Sequence, residues 1–306
     1  MIVDCYTHIW DAVEQLGRCV PASGSPTHFA PPTDGPLSAT PARHLAASEP
    51  VDKTIVLGFK TDYLGAEISN ELVAAYVATQ PDRLIGFAGV DPSNPKEAIN
   101  ALRYGRNELA MRGIAVAPAA QDFHPNNSQA MLVYAAAAEL DLPVLFHTGV
   151  YISSAMKLEY ARPVLLDEVA REIPELKIII AHMGYPWVDE TIVLLAKHRN
   201  VYAEISWLLS QPWQAYQALV SADQFGVIDK LLFGSGFPFT SASQSIEALY
   251  SINHLCHGTN LPTIRREHLR GIVERDTLTL LGIDNGHPPP TPQPATTIAD
   301  DEQENL

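Results

Sequence analysis

The sequence is poor in three things, and each shortage closes off a class of function. Cysteine occurs only as Cys5, Cys19 and Cys256. An odd, scattered set with no CxxC spacing makes no disulfide framework, and it fits a reducing, cytoplasmic setting. Apolar runs are short: none approaches the ~18 residues of a membrane span. Met1 leads directly into a strand-like run, with no basic stretch followed by a long apolar one, so no membrane association is expected. Basic residues are few, 20 Lys and Arg against 35 Asp and Glu, for a formal charge of −15. Such a surface repels phosphate backbones, and no Lys/Arg stripe interleaved with aromatics offsets it. Nucleic acid is not an expected partner.

Internal repeats are missing too. In their place, strand-like runs at 2–4, 54–59, 84–89, 113–116, 144–147, 178–181, 201–205 and 231–233 alternate with amphipathic stretches at 69–79, 95–106, 128–140, 162–172, 187–197, 212–222 and 243–254. Ser93-Asn94-Pro95 reads as a helix start, a capping side chain ahead of proline at the first helical position. Most strand runs are continuous Val, Ile, Leu, Phe and Ala, the pattern of parallel strands buried on both faces. Eight such strands over 306 residues predict an α/β fold, a single-domain (β/α)8 TIM barrel over residues 1–286. A doubly wound sheet is the alternative, but no glycine-rich phosphate fingerprint follows the first strand, and no organic cofactor is expected.

Two segments break the rhythm. Residues 15–50 are rich in Pro, Ser, Gly and Ala and directly follow the first strand. An insertion there lies over the C-terminal mouth of a barrel, either as a lid or as a purely structural excursion. Residues 287–306 run from a proline-rich stretch into Asp300-Asp-Glu-Gln-Glu with little to bury, which predicts a disordered acidic tail.

Four apolar runs end at positions where a barrel enzyme would place metal-binding residues at that mouth: the first at Tyr6-Thr7-His8, the others at His147, His182 and Gly236. Residues two apart on a strand point to the same side, so Tyr6 and His8 can reach one ion, with tyrosine the weaker ligand because its reference pKa is ~10. His147 and His182 emerge at consecutive strand ends; each either serves the site or caps a loop. Glycine at 236 can neither bind an ion nor take a proton. Glu204 on the seventh run is the carboxylate nearest to that gap, although a strand-end charge satisfied by a neighbour explains it better. Lys60, His124 and Arg162 fall in loops at the same mouth and are further candidates for substrate binding. Asp4 shares the parity of Tyr6 and His8 but lies deeper, as structural support.

Taken together, Asp4-x-Tyr6-x-His8, Phe146-His147, Ile180-Ala-His182-Met-Gly184, Leu232-Phe-Gly-Ser-Gly-Phe-Pro238 and Leu280-Leu-Gly-Ile283 resemble the amidohydrolase superfamily, in the branch of aminocarboxymuconate semialdehyde decarboxylase. The resemblance spans residues 1 to about 283. It implies a metal-dependent hydrolase or carboxy-lyase (decarboxylase) acting on a small carboxylated or carbonyl compound, with a divalent ion, often zinc, and a homodimeric assembly. By the family pattern His8 and His147 are metal ligands and His182 is the catalytic group that polarises substrate or moves a proton. The other ligand of the histidine pair falls at Tyr6, and the aspartate ligand and base at Gly236. With two of four ligand positions altered, three expectations stand together: an enzyme with a weakened metal site, an inactive barrel binding a small acid or a protein, or a metal-free acid/base enzyme using the three histidines.

Overall fold

The computed structural model describes residues 1–19, 38–149 and 153–283. The predicted tail and the central part of the 15–50 insertion lie outside the described residues. The strands, in chain order, are β1 (Val3–His8), β2 (Lys53–Leu57), β3 (Phe59–Thr61), β4 (Ala66–Ile68), β5 (Leu84–Gly89), β6 (Gly113–Val116), β7 (Val144–Phe146), β8 (Ile178–Ile180), β9 (Val201–Glu204) and β10 (Leu231–Leu232). Eight of them form one parallel sheet in the order β1-β2-β5-β6-β7-β8-β9-β10. The stretch just past β10 turns the sheet back onto β1. Cys5 N donates to Phe233 O at 2.9 Å, Gly236 N to Tyr6 O at 3.0 Å and His8 N to Phe237 O at 3.1 Å. The result is the predicted barrel.

Alternation along the strands other than β1 explains why the runs looked uniformly apolar. One set of side chains, including Ile55, Leu57, Phe87, Leu145, Ile179 and Leu232, forms an interior cluster fed by all eight strands. The intervening set, such as Val144, Phe146, Ile178 and Ile180, packs outward against helices. Both faces are therefore dry, each buried aliphatic side chain being worth about 1.5–3 kcal/mol relative to exposure. Leu278 and Leu281 of the last helix (Thr277–Leu281) close the interior. They do so at the N-terminal end of the strands, since Arg275, just ahead of that helix, donates to the carbonyl of Leu231 at the start of β10.

The helix Pro95–Asn107 begins as predicted: the Asn94 side chain accepts from Glu97 N, and Pro95 occupies the first turn. An antiparallel hairpin, β3 with β4, was not predicted. It rises from the C-terminal end of β2. The 3-10 turn Val13–Cys19 docks on it, with Arg18 N donating to Leu64 O at 2.9 Å. The insertion's other described end is a short helix, Pro41–Ala47. No described helix is long and apolar enough to cross a membrane.

Candidate active site

Four rings meet at the C-terminal end of the barrel. β1 carries Tyr6 and His8 there, but not by simple alternation. Its register against β2 shifts between Asp4 and Thr7, so the neighbours Cys5 and Tyr6 both enter the interior cluster while Thr7 engages His44 from the Pro41–Ala47 helix at 3.0 Å. The ring centroid of Tyr6 lies 5.2 Å from His8, 5.8 Å from His147 and 4.7 Å from His182, and His147 lies 4.9 Å from His182. The Tyr6 hydroxyl is hydrogen-bonded to His147 Nδ1. The three imidazoles predicted to converge do so, with Tyr6 among them.

His182 sits in a left-handed turn after β8, with φ 55° there and 48° at Met183. Such a conformation costs a non-glycine residue of order 1–3 kcal/mol and persists only when its surroundings impose it. Here Glu204, at the end of β9 and fully buried, imposes it by accepting from His182 N at 2.7 Å. Ser206 completes the support. Its backbone N donates to Glu204 Oε2 at 2.6 Å, its hydroxyl to Glu204 Oε1 at 2.9 Å, and its Oγ lies 2.8 Å from His182 Nδ1.

Burial dominates the electrostatics. It lowers His8 to about 4 against a partial offset from the Leu57 carbonyl, and it holds His182 well below the usual imidazole range, helped by His147 and His8. Both rings are thus neutral at pH 7. Because a carbonyl oxygen only accepts, the His8 Nδ1 facing Leu57 O at 3.1 Å carries the hydrogen, and its Nε2 keeps a lone pair. Beneath the rings, burial raises Glu204 to about 7 in spite of its three donors, and raises Asp4 to about 6 against donation from Ser235 and Tyr6.

The remaining predicted residues do not join the ring cluster. Lys60 is on the β3 hairpin, ion-paired with Glu97 at 2.5 Å. Arg162 Nε donates to Glu190 at 3.0 Å. His124 packs on Tyr160 at 5.6 Å, its Nδ1 buried with no hydrogen-bond partner. Glu204 lies below the rings with both oxygens engaged, and so serves the turn. Asp4, fully buried, accepts from Ser235 N at 2.8 Å and Tyr6 N at 3.3 Å. Gly236 has φ 79°, and a Cβ added there would stand 3.3 Å from Ser206 Cβ. Two contributors escaped the sequence. Ser206 had one signal, its position two residues past Glu204. His44, fully buried between Tyr76 and Thr7, had none.

The donor set does not fit the divalent-ion site that the resemblance implies. Among the described residues no three His, Cys, Asp or Glu side chains come together as a metal-binding group. Both nearby carboxylates are committed to backbone donors below the rings, and the Tyr6 hydroxyl is engaged with a nitrogen of His147. What converges is three imidazoles and a phenol, a set suited to moving protons and accepting hydrogen bonds.

A family model described as amidohydrolase matches residues 3–270. Among solved structures, the fold is similar to an uncharacterised TIM-barrel protein from Bordetella bronchiseptica, with a TM-score of 0.71 and 21% identity over 92% of this chain and 98% of that one. It is similar to 2,6-dihydroxybenzoate decarboxylase from Rhizobium, with a TM-score of 0.65 and 16% identity over 92% and 99%. It also resembles a dihydroxybenzoic acid decarboxylase from Polaromonas, solved with manganese and the inhibitor 2-nitroresorcinol, with a TM-score of 0.65 and 17% identity over 92% and 97%.

Proposed function

Because the chain belongs to the amidohydrolase family, we propose that it is a carboxy-lyase that removes CO2 from a small hydroxylated aromatic acid by proton transfer within the ring cluster. The observation that carries this reading is the Tyr6 hydroxyl bonded to His147 Nδ1 among two neutral imidazoles. Two of the structurally similar proteins are hydroxybenzoate decarboxylases, which supports the substrate class.

The reaction type follows from what the site offers. Hydrolysis needs hydroxide at neutral pH, which the family obtains from an ion that brings bound water to a pKa of about 7 and from a carboxylate base, and position 236 is glycine. Decarboxylation needs no nucleophile. It consumes one proton at the carbon that loses CO2. Tyr6 gives its hydroxyl proton to that carbon. The C–C bond to the carboxylate then breaks, its electron pair restores the aromatic ring, and CO2 leaves. His147 takes a proton from solvent on Nε2 and passes its Nδ1 proton to the Tyr6 oxygen; exchange with solvent then returns the neutral ring from the Nε2–H to the Nδ1–H form, so the cycle closes with one proton consumed. The lone pair on His8 Nε2 accepts from a substrate hydroxyl and orients the ring.

The test is CO2 release from 2,6-dihydroxybenzoate and related acids by chelator-treated protein. Turnover should persist, and Tyr6→Phe should lower kcat by about 100-fold with little change in KM. Activity that returns only on adding manganese or zinc overturns the reading. Saturable binding without turnover of any of the acids also overturns it, in favour of a ligand-binding barrel.

A further inference from the structure

His182 approaches His147 and Tyr6 with one edge and Ser206 with the other, and a ring nitrogen serves proton transfer only if its hydrogen is on the correct side. We infer that Glu204, acting directly and through Ser206, is a positioning residue that fixes His182 in the Nδ1–H form, leaving its Nε2 as the acceptor in the ring cluster. The inference rests on the reading of His182 as a group of the reacting site.

Directionality makes the case. At pH 8, above its value of about 7, Glu204 is an ionised carboxylate and accepts only. The Ser206 hydroxyl, 2.9 Å from Glu204 Oε1, therefore points its hydrogen at Glu204. Its oxygen is then left to accept from His182 Nδ1 at 2.8 Å. The Ser206 carbonyl oxygen, 3.2 Å from the same nitrogen, is also an acceptor only. Glu204 Oε1 itself stands 3.3 Å from His182 Nδ1, so the carboxylate and Ser206 both accept on that side and nothing there offers His182 a hydrogen. Space for the carboxylate is made by Gly234, where a Cβ would come within 2.3 Å of Glu204 Oε2. Asp4 and Cys5 of β1, two strands from β9 around the closed sheet, lie close enough to act on Glu204, and neither is a cation that could compete for it.

Glu204→Ala is the informative change, because with the carboxylate gone the Ser206 hydroxyl is free to turn its hydrogen on His182 Nδ1 and displace the ring hydrogen to Nε2. Glu204→Gln is the conservative counterpart. The oxygen that accepts from Ser206 also accepts from His182 N, so the amide keeps its oxygen there and the tautomer is retained. The experiment is ¹⁵N NMR of His182 at pH 8 in the full-length protein. The wild type and Glu204→Gln should be Nδ1–H. Glu204→Ala should shift the population toward Nε2–H. Glu204→Ala combined with Ser206→Ala should return it to Nδ1–H, since the Ser206 carbonyl remains as the acceptor. A role confined to supporting the turn would give no such return. Nε2–H in the wild type overturns the inference, and so does an unshifted Glu204→Ala. If Glu204→Ala does not fold, the wild type and Glu204→Gln decide: Nε2–H in either overturns the inference, and Nδ1–H in both upholds it. The readout is independent of turnover, so a protein that releases no CO2 yet carries the expected tautomer refutes the proposed reaction and leaves this inference standing.

Discussion

At the residue scale, the two departures from the family pattern are physically unlike. Tyrosine at position 6 keeps a polar group in the site and pairs it with His147. Glycine at 236 removes one, and the backbone there has settled at φ 79° with Ser206 and the Trp207 amide close by. Gly236→Asp alone should therefore cost about 1–3 kcal/mol of strain and gain no ion. Combined with Tyr6→His, it should bind one manganese or zinc per chain, measured by calorimetry and elemental analysis. If the double variant takes up no ion, positions 6 and 236 are misassigned as ligand positions. Sequence placed these positions correctly on the barrel mouth because ligand residues follow strand ends. It could not foresee the Tyr6–His147 bond, since reach between side chains of different strands is not written in either strand.

At the scale of elements, the eight barrel strands were legible because burial on both faces leaves an unbroken apolar run. The three-residue strands β3 and β4 were not, since Lys60 and Glu67 interrupt runs too short to carry a period. The register shift in β1 was not legible either, since alternation assumes an unshifted strand. The Asp4 carboxylate satisfies two backbone amides with one oxygen, while its other oxygen is buried without a partner. This predicts an asymmetry between substitutions. Asp4→Asn keeps the accepting oxygen and should cost within about 1 kcal/mol at pH 8, whereas Asp4→Ala orphans two donors and should cost about 2 kcal/mol or more. Urea unfolding of both variants checks it, and equal losses would mean that the two hydrogen bonds do not matter.

At the scale of the whole molecule, buried ionisable groups pull stability in opposite directions with pH. His8, His44 and His182 are all lowered by burial, the first two to about 4. Their contribution is full above the unfolded value of 6.5 and is lost as pH falls toward 4. Asp4 and Glu204 are raised to about 6 and about 7. Theirs is full below the unfolded values near 4 and is lost as pH rises through 6 and 7. Three histidines outnumber two carboxylates by one proton. Between pH 6 and 5 the wild type should therefore lose about 1.4 kcal/mol per pH unit on acidification. His44→Gln, whatever its overall cost, should bring that slope close to zero in urea unfolding across this range. An unchanged slope would mean that His44 is not held neutral in the fold.

The bonds that join the last strand region to the first have a consequence for inheritance. They run between main-chain amides and carbonyls of residues 233–237 and of Cys5, Tyr6 and His8, so they use no side chain at 236, and the strain of a non-glycine residue there is the one toll on change. The cylinder can stay zipped while that position drifts between an acid and a hydrogen atom. An intact scaffold is therefore poor testimony that the ancestral reaction survives.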